Sequence, residues 1–108
     1  MKHRSLRVSK LIREELAKII LREFEFPGAL VTITEVEVAD KLESAKVLVS
    51  VIPSKSAVGV MRKLGASAGE LQHLLLKKVN IKPMPRIVFE LDHGPENAAV
   101  VEKKLLGE

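Results

Sequence analysis

The stretch from residue 57 to residue 79 reads AVGVMRKLGASAGELQHLLLKKV, and its pattern constrains how the helices of this chain can pack. Its apolar residues keep a helical spacing from Ala57 to Val79, a length that a straight helix would extend to ~35 Å. That is about the diameter of a domain formed by 108 residues. Small residues occupy the middle of the stretch, from Gly65 to Gly69, and we predict a bend there. Two shorter helices can then pack on one core.

Helices are also predicted near both ends of the chain. The first runs from about Ser5 to Phe24 and ends before Pro27 and Gly28. A short closing helix is predicted from Asn97 to Leu106, and Ser54 or Ser56 can cap the helix that begins near Ala57. The apolar stripe of the first helix consists of Val8, Leu11, Ile12, Leu16, Ile19, Ile20 and Phe24.

Strands are predicted on both sides of residues 57–79. Residues 30–38 and 44–52 alternate apolar and polar side chains, and their short polar connection predicts an antiparallel hairpin. The alternation slips by one residue near Thr34 and Glu35, which indicates a bulge or a bend in the strand. Residues 87–91 alternate in the same way, and a right-handed crossover would place them parallel to the second strand.

These elements predict an α+β domain in the order α-β-β-α-kink-α-β. Its three-stranded mixed sheet would be covered by helices on one face. We expect one domain over residues 1–108, with about residues 1–4 and 107–108 flexible, because a chain of this length supports one core.

Composition excludes several classes of protein. The chain has no cysteine, which excludes disulfide scaffolds, thiolate nucleophiles and cysteine-bound metal centres. Its longest apolar run, residues 98–101, is far too short to cross a membrane. The histidines His3, His73 and His93 form no recognisable catalytic or metal-binding motif. We therefore expect a binding protein that is not an enzyme and has no metal, no cofactor, no small-molecule substrate and no membrane partner.

Positive charge is concentrated in two segments of the chain, although the net charge is only +4. Residues 1–26 carry seven basic and four acidic side chains, and residues 53–86 carry seven and one. Residues 27–52 and 87–108 are net acidic. Segments of this kind favour nucleic-acid binding. The alternative is a set of solvated faces that keep the protein soluble.

The order of elements resembles the type II KH domain, an RNA-binding fold. Five stretches narrow the resemblance to the ribosome-binding factor A family, in register from about residue 4 to 106. They are RVS at 7–9, ELAKII at 15–20, VTITEVEV at 31–38, AKVLVS at 45–50 and PRIVFELD at 85–92. The resemblance implies a cytoplasmic factor that binds the small ribosomal subunit (30S) late in its assembly and assists maturation of 16S rRNA. We expect it to act as a monomer.

The resemblance includes one corresponding feature, at the kink, and two departures from the family pattern. The family replaces the KH glycine loop by an Ala-x-Gly kink, which corresponds here to Ser67, Ala68 and Gly69. The family commonly has Asp-Pro-Arg after the first helix, where this chain has Phe26-Pro27-Gly28 and so lacks the basic residue. We also expect this protein to be without the long C-terminal extension of some members.

The candidate RNA-binding residues are basic side chains of the two cationic segments. Lysine and arginine would hold phosphates, and a proline-stiffened loop between Lys82 and Arg86 would limit the entropy lost on docking. The set is Lys2, Arg4, Arg7, Lys10, Arg13, Lys77, Lys78, Lys82 and Arg86. Several of these could instead be solubility charges.

Only three aromatic residues are present, which bears on how RNA would be recognised. Phe24 and Phe89 fall on core-facing patterns, and Phe26 alone is a candidate for exposure. We therefore expect recognition of backbone charge and folded shape, without stacking of bases. The bend at residues 65–69 could also be a close-approach point for an RNA backbone. The alternative function is protein binding through a strand edge or through this bend.

Overall fold

Three helices and three strands are found in the part of the chain that the structure describes. The computed structural model describes residues 2–81 and 84–92, with side chains from Leu6 onward. The predicted closing helix at residues 97–106 lies outside them. The elements are α1 (Lys2–Glu23), β1 (Leu30–Val38), β2 (Ser44–Ile52), a 3-10 turn (Ser54–Ser56), α2 (Ala57–Ala66), α3 (Ala68–Lys78) and β3 (Arg86–Leu91).

The sheet is mixed, as predicted, and has the strand order β1-β2-β3. β1 is antiparallel to β2, and β3 is parallel to β2. The predicted bulge is confirmed, because the β1–β2 pairing shifts between Ile33 and Glu35. The extra residue keeps Ile33 and Val36 both buried, which a regular alternation could not do.

The bulge residue also connects β1 to the end of β3. The Thr34 hydroxyl donates a hydrogen bond to Asp92 Oδ2 at 2.7 Å and lies 3.3 Å from the Leu48 carbonyl oxygen. The backbone N–H of Asp92 donates to the carbonyl oxygen of Val49 at 2.8 Å. All three strands are therefore linked at this end of the sheet.

The core lies between one face of the sheet and the helices. β2 supplies Ala45, Val47, Val49 and Val51, all buried as their alternation predicts. The predicted stripe is buried from Val8 to Ile20 except at Leu11, and Phe24, just after α1, is partly buried. Leu11 is 41% exposed, so its prediction as a core residue is wrong. Leu11 lies at the edge of the stripe, on a part of the helix surface that does not face the sheet.

The helices form one layer over that face. α1 packs on β1 and on α3, while α2 and α3 both pack on β3. The side chain of Gln72 in α3 accepts a hydrogen bond from the backbone N–H of Ile87 at 3.1 Å. Since Ile87 lies on an edge strand, this bond satisfies a donor that the sheet leaves unpaired.

The predicted bend is confirmed, since Ser67 separates α2 from α3. Its N–H still donates to the carbonyl oxygens of Lys63 and Leu64, while its φ and ψ of −99° and 4° turn the chain. The predicted cap at the start of α2 is wrong. Ser56 holds the N-cap position, but its side chain makes no capping hydrogen bond, because the preceding 3-10 turn already places it in helical geometry.

The β1–β2 connection is less polar than its sequence indicates. Leu42 has a positive φ of 58°, which is rare for a residue other than glycine, and its side chain is only 5% exposed. Its backbone N–H donates to the carbonyl oxygen of Ala39 at 2.8 Å and closes a turn. Burial of the leucine side chain offsets the cost of this backbone conformation.

The opposite face of the sheet is open within the described residues. It presents Thr32, Glu35, Glu37, Lys46, Leu48, Val88 and Glu90, most of them exposed. Lys46 Nζ lies 3.8 Å from the Glu90 carboxylate. The other charged side chains on the strands of this face are Glu35, Glu37 and Arg86, so the face is slightly acidic, whereas the helical layer is mainly basic.

Candidate nucleic-acid interface

Three of the candidate cations form one exposed group on α1. Arg7, Lys10 and Arg13 are spaced by three residues, so they lie on one side of the helix, opposite the buried stripe. Among the side chains that the structure describes, none of the three makes an ion pair. Lys18 and Arg22, further along α1, do so with Glu15 at 3.6 Å and Glu23 at 2.8 Å.

Lys2 and Arg4 belong to the first turns of the same helix. They extend the run of basic residues toward the N-terminus of α1, while their side chains lie outside the described part of the structure. α1 has no acidic residue in its first turn. The N-terminal half of the helix is therefore cationic without local compensation.

A second group of cations lies at the end of α3. Lys77 and Lys78 occupy its last turn and are exposed. Lysines at a helix C-terminus also interact favourably with the helix dipole, which gives them a structural role independent of any ligand. Because α1 packs on α3, both groups belong to one layer of the molecule.

The remaining two candidates are not placed with these groups. Lys82 lies outside the described residues. Arg86 is the first residue of β3 and alternates with the buried Ile87, so it lies on the open face of the sheet beside Val88 and Glu90. Its side chain is exposed, and its backbone N–H donates to the carbonyl oxygen of Glu43 at 3.2 Å.

The kink residues have surface positions. Gly65 and Gly69 are exposed, and a Cβ added at either would meet nothing within 4 Å. Ser67 and Ala68 are half-buried between them. The predicted bend is thus present, and the close approach of a ligand backbone at this position stays a prediction.

An aromatic and cationic cluster was not foreseen from the sequence. The rings of Phe24 and Phe26 stack with centroids 5.8 Å apart and planes 6° apart. Lys63 Nζ lies 5.6 Å from the Phe24 centroid and 5.3 Å from the Phe26 centroid, within cation–π range. The predicted exposure of Phe26 is only partly right, because the residue is half-buried against Phe24.

Two concave regions meet at this cluster. An apolar cavity of about 360 Å³ lies between α1 and β1, with Ile20, Phe24 and Leu64 in its wall. A more open groove of about 350 Å³ lies between the α1–β1 turn and the start of α2. We call the second the Phe26 groove; Glu25, Phe26, Pro27, Lys55, Gly59 and Lys63 line it.

The described residues include neither a metal site nor a membrane-spanning helix. No group of three or more histidine, aspartate or glutamate side chains among them could hold a metal ion. None of the helices described is long and apolar enough to cross a membrane.

Comparison with known proteins identifies the family. The family model described as ribosome-binding factor A matches residues 4–105. The chain belongs to this family. Ribosome-binding factor A of Akkermansia muciniphila is 39% identical over 96 residues, which cover 89% of this chain and 77% of that protein. Ribosome-binding factor A of Opitutus terrae is 37% identical over 100 residues, which cover 92% and 82%.

Solved structures of ribosome-binding factor A share the fold. The crystal structure from Thermus thermophilus superposes with a TM-score of 0.70 at 22% identity, covering 81% of this chain and 94% of that one. A Thermus thermophilus homology model, fitted into a cryo-EM map of a 30S complex, gives a TM-score of 0.65 at 21% identity, covering 78% and 90%. The predicted KH-like α+β fold is confirmed.

Proposed function

We propose that this ribosome-binding factor binds the small ribosomal subunit and assists late maturation of that subunit and of its 16S rRNA. The family supports the ribosome as target, and the Thermus thermophilus relative is fitted into a 30S complex. The observation that carries the proposal is the exposed group of Arg7, Lys10 and Arg13, which lacks ion-pair partners among the described side chains. Phosphate groups of rRNA would supply such partners.

Each basic residue would contribute mainly charge. The chain would hold the backbone of folded rRNA through the outer side of α1 and the end of α3, working as a monomer in the cytoplasm. Affinity for the subunit should then fall steeply as salt rises, because each phosphate contact releases condensed counterions. A surface that binds ribosomal protein through apolar contacts would lack this dependence.

The test is sedimentation of the protein with free small subunits, with assembled ribosomes and with buffer alone, at several salt concentrations. We expect the protein to pellet with free small subunits, less with assembled ribosomes, and less at each higher salt concentration. Equal pelleting with assembled ribosomes would contradict the assembly role. Pelleting that salt leaves unchanged would instead support the alternative function as a protein-binding module.

A further inference from the structure

The residues that line the Phe26 groove include none of the nine candidate RNA-binding residues. Its wall holds an aromatic ring at Phe26, two ammonium groups at Lys55 and Lys63, and a glycine at position 59. The groove is open to solvent and has a volume of about 350 Å³. Its composition is mixed, unlike the apolar cavity on the other side of Phe26.

We propose that the Phe26 groove binds one unpaired nucleotide of RNA, with its base against the Phe26 ring and its phosphate between Lys55 and Lys63. The inference rests on the proposed RNA-binding function and adds a position that contacts a base. Aromatic rings stack on any base, and lysine ammonium groups bind phosphate as point charges. The groove presents both within one surface.

The cations of the groove have unused hydrogen-bonding capacity. Lys63 Nζ donates to the backbone carbonyl oxygen of Glu25 at 3.3 Å and also lies against the Phe24 and Phe26 rings, but no described carboxylate pairs with it. Lys55 is exposed and makes no ion pair with any described side chain. A phosphate between them would therefore gain charge-assisted hydrogen bonds without breaking an existing ion pair.

The groove is also open on the side formed by α2. A Cβ added at Gly59 would meet nothing within 4 Å, so the backbone of α2 is open to a ligand at that point. Phe26 is fixed by its stack on Phe24, and Pro27 limits the freedom of the turn that follows. A ring that is already held in place loses little conformational entropy when a base stacks on it.

Glu25 lies on the rim of the groove, where its negative charge would repel a phosphate. Its carboxylate is exposed and lowers the net positive charge beside Lys55 and Lys63. Glu25→Gln should therefore tighten RNA binding, while Lys55→Gln should weaken it. Opposite effects of two exposed substitutions are expected from charge at the groove, and a general loss of folding would not produce them.

The experiment is a fluorescence anisotropy titration of the full chain with a labelled short oligouridylate, using an RNA duplex as the comparison probe. Phe26→Leu keeps an apolar side chain but removes the stack, and we expect about a tenfold loss of affinity for the single strand. Lys55→Gln should reduce the slope of log affinity against log salt by about 0.7. Gly59→Leu fills the groove with a residue that favours a helix, so it should weaken binding while the fold is kept.

The matched control is Lys41→Gln, which removes one exposed lysine in the β1–β2 connection. It should leave oligouridylate binding unchanged, and thermal unfolding followed by circular dichroism checks that every variant is folded. The inference is overturned if folded Phe26→Leu and Gly59→Leu bind the single strand as the wild type does, or if Glu25→Gln weakens binding.

Sedimentation with small subunits distinguishes this result from failure of the proposed function. If the wild type binds small subunits but not oligouridylate, the nucleotide site alone is overturned. If the wild type binds oligouridylate but not small subunits, the proposed function alone is overturned.

Discussion

Gly28 and Gly59 differ in backbone conformation, because only Gly28 has a positive φ. Gly28 has a φ of +77° and follows Pro27 in a turn closed by the Ala29 N–H and the Phe26 carbonyl oxygen at 3.0 Å. These are the features of a type II turn, whose third position requires a positive φ. Gly59 lies within α2, in ordinary helical geometry, with open space where a Cβ would be.

The same substitution should therefore have opposite effects at these positions. Gly28→Ala should lower the free energy of unfolding by about 1–2 kcal/mol, because an alanine Cβ disfavours the left-handed conformation. Gly59→Ala should raise it by about 0.5–1 kcal/mol, because alanine loses less entropy in a helix. Urea denaturation followed by far-UV circular dichroism measures both. Destabilisation by both variants would contradict this account of Gly59.

At the scale of secondary-structure elements, the bulge in β1 has a role that the strand alone would not reveal. Thr34 departs from the regular pairing, and its hydroxyl reaches Asp92 at the end of β3 across the middle strand. Hydrogen bonds that involve a charged group are worth more than neutral ones. The irregularity in one edge strand therefore fixes the end of the other.

Thr34→Val keeps the shape of the side chain and removes the hydroxyl. We expect it to lower the free energy of unfolding by about 1.5 kcal/mol, because the hydrogen bond to the Asp92 carboxylate is lost. Thr32→Val, on the exposed face of the same strand, should change it by less than about 0.5 kcal/mol. Equal effects of the two variants in urea denaturation would show that the Thr34–Asp92 bond contributes nothing.

The bounds of the strands followed from the sequence because β-branched residues alternate with polar ones over their full length. β1 and β2 begin and end where the alternation does, and the slip near Thr34 predicted the bulge. The bend at Ser67 followed from the run of small residues. The burial of Leu42 did not follow, since it depends on a turn conformation that leucine rarely adopts.

The charges of the candidate site and their arrangement along α1 could be read from the sequence, but contacts between distant elements could not. The periodicity of α1 placed Arg7, Lys10 and Arg13 on one side of the helix, which the structure confirms. The approach of Lys63 to Phe24 and Phe26 joins residues more than 35 positions apart. Nothing local in the sequence indicates such a contact, because it arises from the way α2 packs beside the α1–β1 turn.

On the scale of the whole molecule, the two faces differ in charge. The helical layer carries an excess of exposed cations on α1 and at the end of α3, whereas the open face of the sheet carries Glu35, Glu37 and Glu90 against Lys46 and Arg86. A molecule with this distribution should approach a polyanion with the helices first. Net charge alone would give no preferred orientation.

Two variants that each lose two positive charges distinguish binding through the helical face from binding that depends on net charge alone. Arg7→Gln with Arg13→Gln should weaken binding to small subunits and reduce the salt slope by up to about two units. Lys41→Gln with Lys46→Gln removes the same charge from the sheet side and should have a much smaller effect. Equal losses in the sedimentation assay would mean that overall charge, and not the helical face, determines binding.

The parallel pairing of β2 with β3 also has a consequence for synthesis of the chain. β1 and β2 are joined by a short turn and can pair as soon as both have been translated. β3 follows only after the whole of α2 and α3, so the second edge of β2 has no partner until the ribosome has made residue 91. A nascent chain stalled before that point would expose the most apolar strand of its sheet to chaperones and to other nascent chains.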